Sequence, residues 1–210
     1  LPVQEIFNQF IDGLRATTLP EYIAVIAGIA SVWYSKKENI WVYPTGLLNT
    51  SIYIWLSFKY HLLGEASVNF YYTLMNIYGW YLWTRKDAAQ KPVLAIKFST
   101  RKEWIKELLF FAFFYCSIYG ALVFLKKEFA PGAIPWADAL ASASAFTGMW
   151  LMAKKKVESW YWWIITNICG MPLYFVKGLV FTSVYYFILL LIALGGLQEW
   201  KRKAAQNNAE

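Results

Sequence analysis

The chain has 210 residues, of which 59% are hydrophobic and 16% charged, and it carries a formal net charge of +7. Polar surface this scarce excludes a disordered chain and an ordinary soluble domain, and points to a bilayer as the solvent. Aromatic residues reach 20%, with 12 Trp, and Trp and Tyr collect where acyl chains meet headgroups.

In chain order, residues 1–18 are interrupted by Glu5, Asp12 and Arg15, which predicts an amphipathic lead-in segment rather than a cleaved signal peptide. Apolar runs bounded by charge, Gly or Pro then predict seven spans, at 21–35 (opening as early as Leu19), 40–58, 65–83, 104–125, 134–153, 159–176 and 179–200. A span takes about 20 apolar residues, so only short connections remain and there is no room for a soluble catalytic domain. Irregular backbone cannot face lipid, so the expected fold class is all-α and polytopic. Cys116 and Cys169 lie inside apolar runs, with no CxxC or metal-ligand spacing. An odd number of spans puts the two ends on opposite sides. Fifteen of the 20 Lys and Arg then fall on one side, at 36–37, 85–106, 154–156 and 201–203. Cytoplasmic loops carry the Lys/Arg excess, so the C-terminus is expected inside and the N-terminus outside, and the +7 marks topology rather than nucleic-acid binding.

The chain also repeats itself. Glu21 matches Asp138, Trp33 matches Trp150, Lys37 matches Lys154, Gly79 matches Gly196, Trp83 matches Trp200 and Arg85 matches Arg202, all offset by 117, while Asn49 pairs with Asn167 at 118. That shift implies an inserted residue and sets Trp163 against Thr45. Spans one to three are therefore expected to recur as spans five to seven, with the fourth restoring the chain direction between them. The resulting parsing is an amphipathic segment (1–18), a first three-helix repeat (19–86), a basic loop and linker helix (87–128), a second repeat (129–203) and a C-terminal tail (204–210). Parallel repeats of this kind are a transporter architecture, with substrate held between the halves near the midplane.

Polar residues far from either membrane surface need a partner or a cavity. Here they are amides. Asn49, Asn76 and Asn167 each lie about ten residues from a span end, near mid-depth, whereas the acids and bases cluster at span ends and His61 falls in a short connection, where it reads as a solvated loop residue. No proton relay is visible. In the third span Asn76, Trp80 and Trp83 share a helical face, and in the sixth Trp163 and Asn167 do. Two amides and two indoles are expected to converge at one level, where indole faces suit a planar or cationic ring and an amide suits a carboxamide or a ribose hydroxyl. Asn76 and Trp80 have Ala193 and Leu197 as repeat mates, so packing alone does not require them. Trp83 reads equally as a belt residue, as do Trp162, Trp160 and Trp41 near the same surface. Pro44, Gly170 and Pro172 are candidate hinges or ordinary kinks.

The Asn-x-x-Gly-Trp-x-x-Trp run of 76–83, together with Trp-x-x-x-Asn at 163–167, resembles the Pnu vitamin transporters, and within them the nicotinamide riboside carriers. The resemblance extends over the seven spans and the 3+1+3 duplication. It implies an architecture similar to SWEET sugar transporters and facilitated diffusion of nicotinamide riboside across a bacterial inner membrane. It also implies a homotrimer surrounded by lipid, and uptake made one-way by a cytoplasmic nicotinamide riboside kinase. The substrate site expected from the residues and the resemblance comprises Asn49, Asn76, Trp80, Trp83, Trp162, Trp163 and Asn167, with no catalytic residue, metal or cofactor and no nucleic-acid partner. Carriage of thiamine, riboflavin or a sugar is the alternative within this class. A seven-helix sensor or a membrane-embedded enzyme is the alternative outside it. The latter lacks a nucleophile or paired acids at one level, and a retinal-type receptor lacks its Lys inside the last span.

Overall fold

The apolar runs fold as helices because in lipid every backbone N–H and C=O must be satisfied within its own segment. The computed structural model describes residues 2–60, 62–129 and 132–207. They form eight helices: α1 (Val3–Ala16), α2 (Leu19–Lys36), α3 (Val42–Lys59), α4 (Leu63–Thr84), α5 (Arg101–Phe129), α6 (Pro135–Ala153), α7 (Ser159–Val176) and α8 (Val180–Asn207). Helix α2 opens with Pro20 in its first turn and with Glu21 reaching back to accept the Thr18 N–H at 2.5 Å. Helix α6 opens the same way, with Pro135 and with Asp138 accepting the Ile134 N–H at 2.6 Å. In both, a carboxylate fills an orphan donor and complements the positive end of the helix dipole. One expected boundary moves. Helix α8 runs on to Asn207, with Ala204 buried, so 204–207 continues the helix instead of forming a tail. The expectation for His61 lies outside the described residues.

Among the described residues, Arg101–Phe124 and Val180–Asn207 are each long and apolar enough to cross a membrane, while α1 and α2 qualify only as one pair, bent by 107°. The remaining helices have 18 to 22 residues. Their Tyr, Thr, Ser and Asn lower the mean hydropathy, and many of these face neighbouring helices. Helix α1 turns its Phe10 and Gly13 against Phe181 of α8.

Helices α2, α3 and α4 pack in succession, as do α6, α7 and α8; α2 also contacts α8, α4 contacts α6, and α5 lies along α6. Equivalent positions across the two triplets stand at a fixed offset of 117. Helices α3 and α7 both have 18 residues and start at Val42 and Ser159, and α4 and α8 start at Leu63 and Val180. The Asn49 Nδ2–H donates to Ala24 O at 2.7 Å, and its counterpart Thr166 donates through Oγ1 to Ala141 O at 3.3 Å. Asn49 therefore corresponds to Thr166, not Asn167, and Trp163 corresponds to Gly46, not Thr45. No residue is inserted.

The triplets meet most tightly at the end carrying the Lys and Arg clusters, hereafter the basic end. Trp83 Nε1 donates to Ala153 O at 3.2 Å, and Trp200 Nε1 donates to Ser35 O at 3.1 Å, each bond crossing to the last turn of the other triplet's first helix. The two indoles lie 6.2 Å apart. Glu38 and Lys155, again equivalent positions and both at positive φ, join across the same seam at 2.7 Å, and Lys203 binds the other Glu38 oxygen at 3.0 Å. Burial opposes ionisation of Glu38, but the two ammonium groups outweigh it and hold the carboxyl below its ordinary range.

Glycine sets the closest approaches here. A Cβ on Gly79 would lie 2.5 Å from the Tyr43 ring, and one on Gly196 would lie 2.5 Å from the Trp160 ring. Gly79→Ala and Gly196→Ala should each destabilise the protein by about 1–3 kcal/mol through overpacking, read as a lower thermal midpoint in detergent. Gly120→Ala, where nothing lies within 4 Å, should be neutral or gain about 0.5–1 kcal/mol from helix propensity.

Candidate functional site

Helix α4 brings Asn76 to the inner face between the triplets. It is 2% exposed, and its Nδ2–H donates to Tyr72 O at 2.9 Å, which leaves Oδ1 buried without a partner among the described residues. That carbonyl rests against Gly46 of α3, where a methyl would collide with it. Helix α7 presents Asn167, 3% exposed, whose amide makes no hydrogen bond among the described residues. Asn76 lies eight residues from the basic end of α4, and Asn167 eight residues from the basic end of α7. The helix ends differ in level, because Asn76 packs on Gly46, which is only four residues from the basic end of α3.

Trp163 stands on α7 one turn from Asn167. Its indole edge lies over Gly148 of α6, where a Cβ would be 3.2 Å from Nε1, and its ring centroid is 6.4 Å from that of Tyr72. Tyr72 meets Phe146 edge-on at 5.9 Å, and Tyr71 stacks on Phe146 at 4.2 Å and donates its hydroxyl to Phe146 O at 3.0 Å. The structure thus links Asn76 on α4 to Trp163 on α7 through Tyr72, whose carbonyl takes the Asn76 amide and whose ring faces Trp163 and Phe146; the sequence reading did not single out Tyr72 or Phe146. Tyr72 had a signal, since it lies four residues before Asn76 on the same face.

The other expected site residues go elsewhere. Asn49 braces α3 to α2. Trp83 belongs to the seam at the basic end, with Lys155 Nζ 4.8 Å over its ring. Trp162, adjacent to Trp163 and so rotated by about 100°, stacks on Phe111 of α5 at 4.8 Å beside the buried Glu107. Trp80 is 39% exposed and has no ring partner among the described residues. The site therefore offers one unpaired amide carbonyl, one wholly uncommitted amide and an indole face, all in a low-dielectric interior where an unfilled polar group is costly. No group of three or more His, Cys, Asp or Glu able to hold a metal occurs among the described residues.

The profile of the family described as "Nicotinamide mononucleotide transporter" matches residues 18–202. The chain is 26% identical to the nicotinamide riboside transporter PnuC of Escherichia coli (strain K12), over 90% of this chain and 87% of that protein. It is 24% identical to the riboflavin/roseoflavin transporter RibM of Streptomyces davaonensis, over 86% and 83%. A crystal structure of the vitamin B3 transporter PnuC superposes with a TM-score of 0.70 at 20% identity, covering 97% of this chain and 90% of that one, which establishes the common fold.

The bonding pattern separates structural amides from those with free capacity. Asn49→Ala should lower the thermal midpoint by the loss of a brace, about 0.5–1.5 kcal/mol. Asn167→Ala should leave it unchanged or raise it, because no bond is lost and a buried polar group is removed. Melting both variants without ligand checks this, and an equal loss in the two would refute the assignment.

Proposed function

The chain belongs to the nicotinamide mononucleotide transporter family and is a multi-pass membrane transporter rather than an enzyme; from that premise we propose that it carries nicotinamide riboside by facilitated diffusion. The observation that carries the reading is a buried amide carbonyl without a partner among the described residues, Asn76 Oδ1, one turn from Tyr72, whose ring lies 6.4 Å from that of Trp163, itself one turn from the buried Asn167. A pyridinium ring against the indole gains a cation–π contact of about 0.5–2 kcal/mol. The carboxamide N–H of such a ligand has an acceptor in Asn76, and a ribose hydroxyl has both a donor and an acceptor in Asn167.

In this reading the chain crosses the membrane seven times, with α2–α4 and α6–α8 as parallel triplets, α5 as the linker and α1 at the outer surface. The basic end is cytoplasmic, since it gathers most of the Lys and Arg, so the N-terminus lies outside a bacterial inner membrane. Three copies assemble as a homotrimer with one pathway each, and a cytoplasmic kinase traps the product. A cysteine placed at Gln90, which is exposed in the basic loop, should resist an impermeant thiol reagent in intact cells and react in inside-out vesicles; the reverse pattern would invert the topology. Cross-linking in native membranes tests the trimer.

The substrate test is equilibrium binding. Purified protein should bind nicotinamide riboside in preference to riboflavin, the cargo named for the Streptomyces relative, and to thiamine. Asn76→Ala, Asn167→Ala and Trp163→Ala should each weaken binding at least tenfold, or about 1.4 kcal/mol, with Trp80→Ala near wild type. Preference for riboflavin would transfer the site to that vitamin.

Because the mid-depth site holds amides and rings with no carboxylate or histidine, transport should dissipate a gradient and build none. In proteoliposomes clamped at zero potential, uptake should stop at equal concentrations and ignore a pH difference. Accumulation should appear only with kinase and ATP sealed inside. Uphill uptake driven by pH or sodium would contradict uniport.

A further inference from the structure

In the aromatic packing against Trp83 and Trp200 at the basic end, two buried polar atoms have no hydrogen-bond partner among the described residues. Tyr43 and Trp160 occupy equivalent positions in the first turns of α3 and α7, and both rings are buried, at 2% and 0% exposure. Each lies on the glycine of its own triplet's third helix, Gly79 or Gly196, and edge-on to the indole four residues further along, 5.2 Å from Trp83 and 5.6 Å from Trp200. Their neighbours Trp83 and Trp200 have both indole N–H groups satisfied across the seam. Tyr43 Oη and Trp160 Nε1 have no partner among the described residues. The same packing thus contains two polar groups that favour the closed seam and two that oppose it, because water would satisfy them if the seam parted.

We propose that Tyr43 and Trp160 are the paired leaves of the cytoplasmic gate, and that their unsatisfied hydroxyl and indole N–H hold its closed state close in free energy to the open one. The proposal rests on the transporter reading with the basic end inside the cell. The glycines seat each ring flat on the third helix of its own triplet, so opening parts the triplets with each leaf kept on its own half, and it hydrates both orphan atoms while breaking the two Trp N–H bonds and the Glu38–Lys155 pair. A gate needs two states within a few-fold of each other. A seam in which every polar group was satisfied would stay shut.

The test requires no vitamin, so it stands apart from the binding assay that decides the substrate. In the full chain with Cys116→Ser and Cys169→Ser, Ala193→Cys places a reporter above the gate, at the counterpart of Asn76. Its labelling rate by an impermeant maleimide in inside-out vesicles reads gate opening. Tyr43→Phe keeps the ring and removes the orphan hydroxyl, and should slow labelling at least fivefold. Tyr43→Ala removes the leaf and should speed it. Trp83→Phe removes a satisfied donor and should also speed it. Unchanged or faster labelling in Tyr43→Phe would overturn the proposal, as would slowing in Trp83→Phe, since loss of any polar atom would then tighten the seam. Should Trp83→Phe fail to fold, Tyr43→Phe decides alone.

Discussion

The reciprocal bonds of Trp83 and Trp200 organise the molecule. Each indole N–H reaches out of its own triplet and accepts the role that a cap residue plays in a soluble helix, filling a carbonyl at the C-terminal turn of the other triplet's first helix. A helix end in a membrane protein must find such partners among neighbouring helices if it is buried. Here each triplet caps these ends locally, as Glu38 N–H does on Ser35 O and Lys155 N–H on Met152 O, both at 3.0 Å, and the exchanged indole bonds add a second layer that ties the halves together. The Glu38–Lys155 pair adds charge complementarity where two copies of one loop meet.

The basic loop reinforces this arrangement. Ile96 is buried in the cluster of Trp83, Trp160 and Trp200, its carbonyl accepts the Asn207 amide at 3.0 Å, and Lys97 exchanges backbone bonds with Lys155 and Val157, both at 3.2 Å. Ser99 N–H donates to Glu158 at 2.9 Å, and Glu103 pairs with Lys156 at 2.7 Å. The loop that joins the first triplet to α5 is therefore strapped across the second, and the second triplet's Lys155, Lys156 and Lys203 are consumed as structural partners. Charge that reads as a topology signal along the chain also fastens the two halves at their closed end.

Helices, their order and the offset of 117 were legible because each rests on a pattern running over many residues. Side-chain direction rests on single angles and was less so. At about 100° per residue, Gly79 and Tyr72 lie to one side of Asn76 on α4 and Trp80 lies to the other. The buried face follows Tyr72, Asn76, Gly79 and Trp83, and leaves Trp80 at the edge. The same rotation parts Trp162 from Trp163. Reading Asn49 with Asn167 placed identity above register, whereas the bonds to Ala24 and Ala141 pair Asn49 with Thr166, a different side chain making the same brace. Tyr43 escaped notice and Trp160 read only as a belt residue for a similar reason: equivalent in place, they differ in type, and only the glycines beneath them match.

With the register corrected, the broken symmetry of the site becomes a volume argument. Gly46 and Trp163 are equivalent positions, and so are Asn76 and Ala193. In the first triplet a large polar residue on the third helix packs onto a glycine of the second; in the second triplet the third helix has an alanine and the second has an indole. Each triplet therefore fills the level above its gate with one large and one small side chain, placed on opposite helices. Packing density is conserved while chemistry is not. A structure that needed only to pack could have kept the same pair twice. This one sets an amide with a free carbonyl in one half at the level of an indole face in the other, and a ring that is both flat and hydrogen-bonding requires both at once.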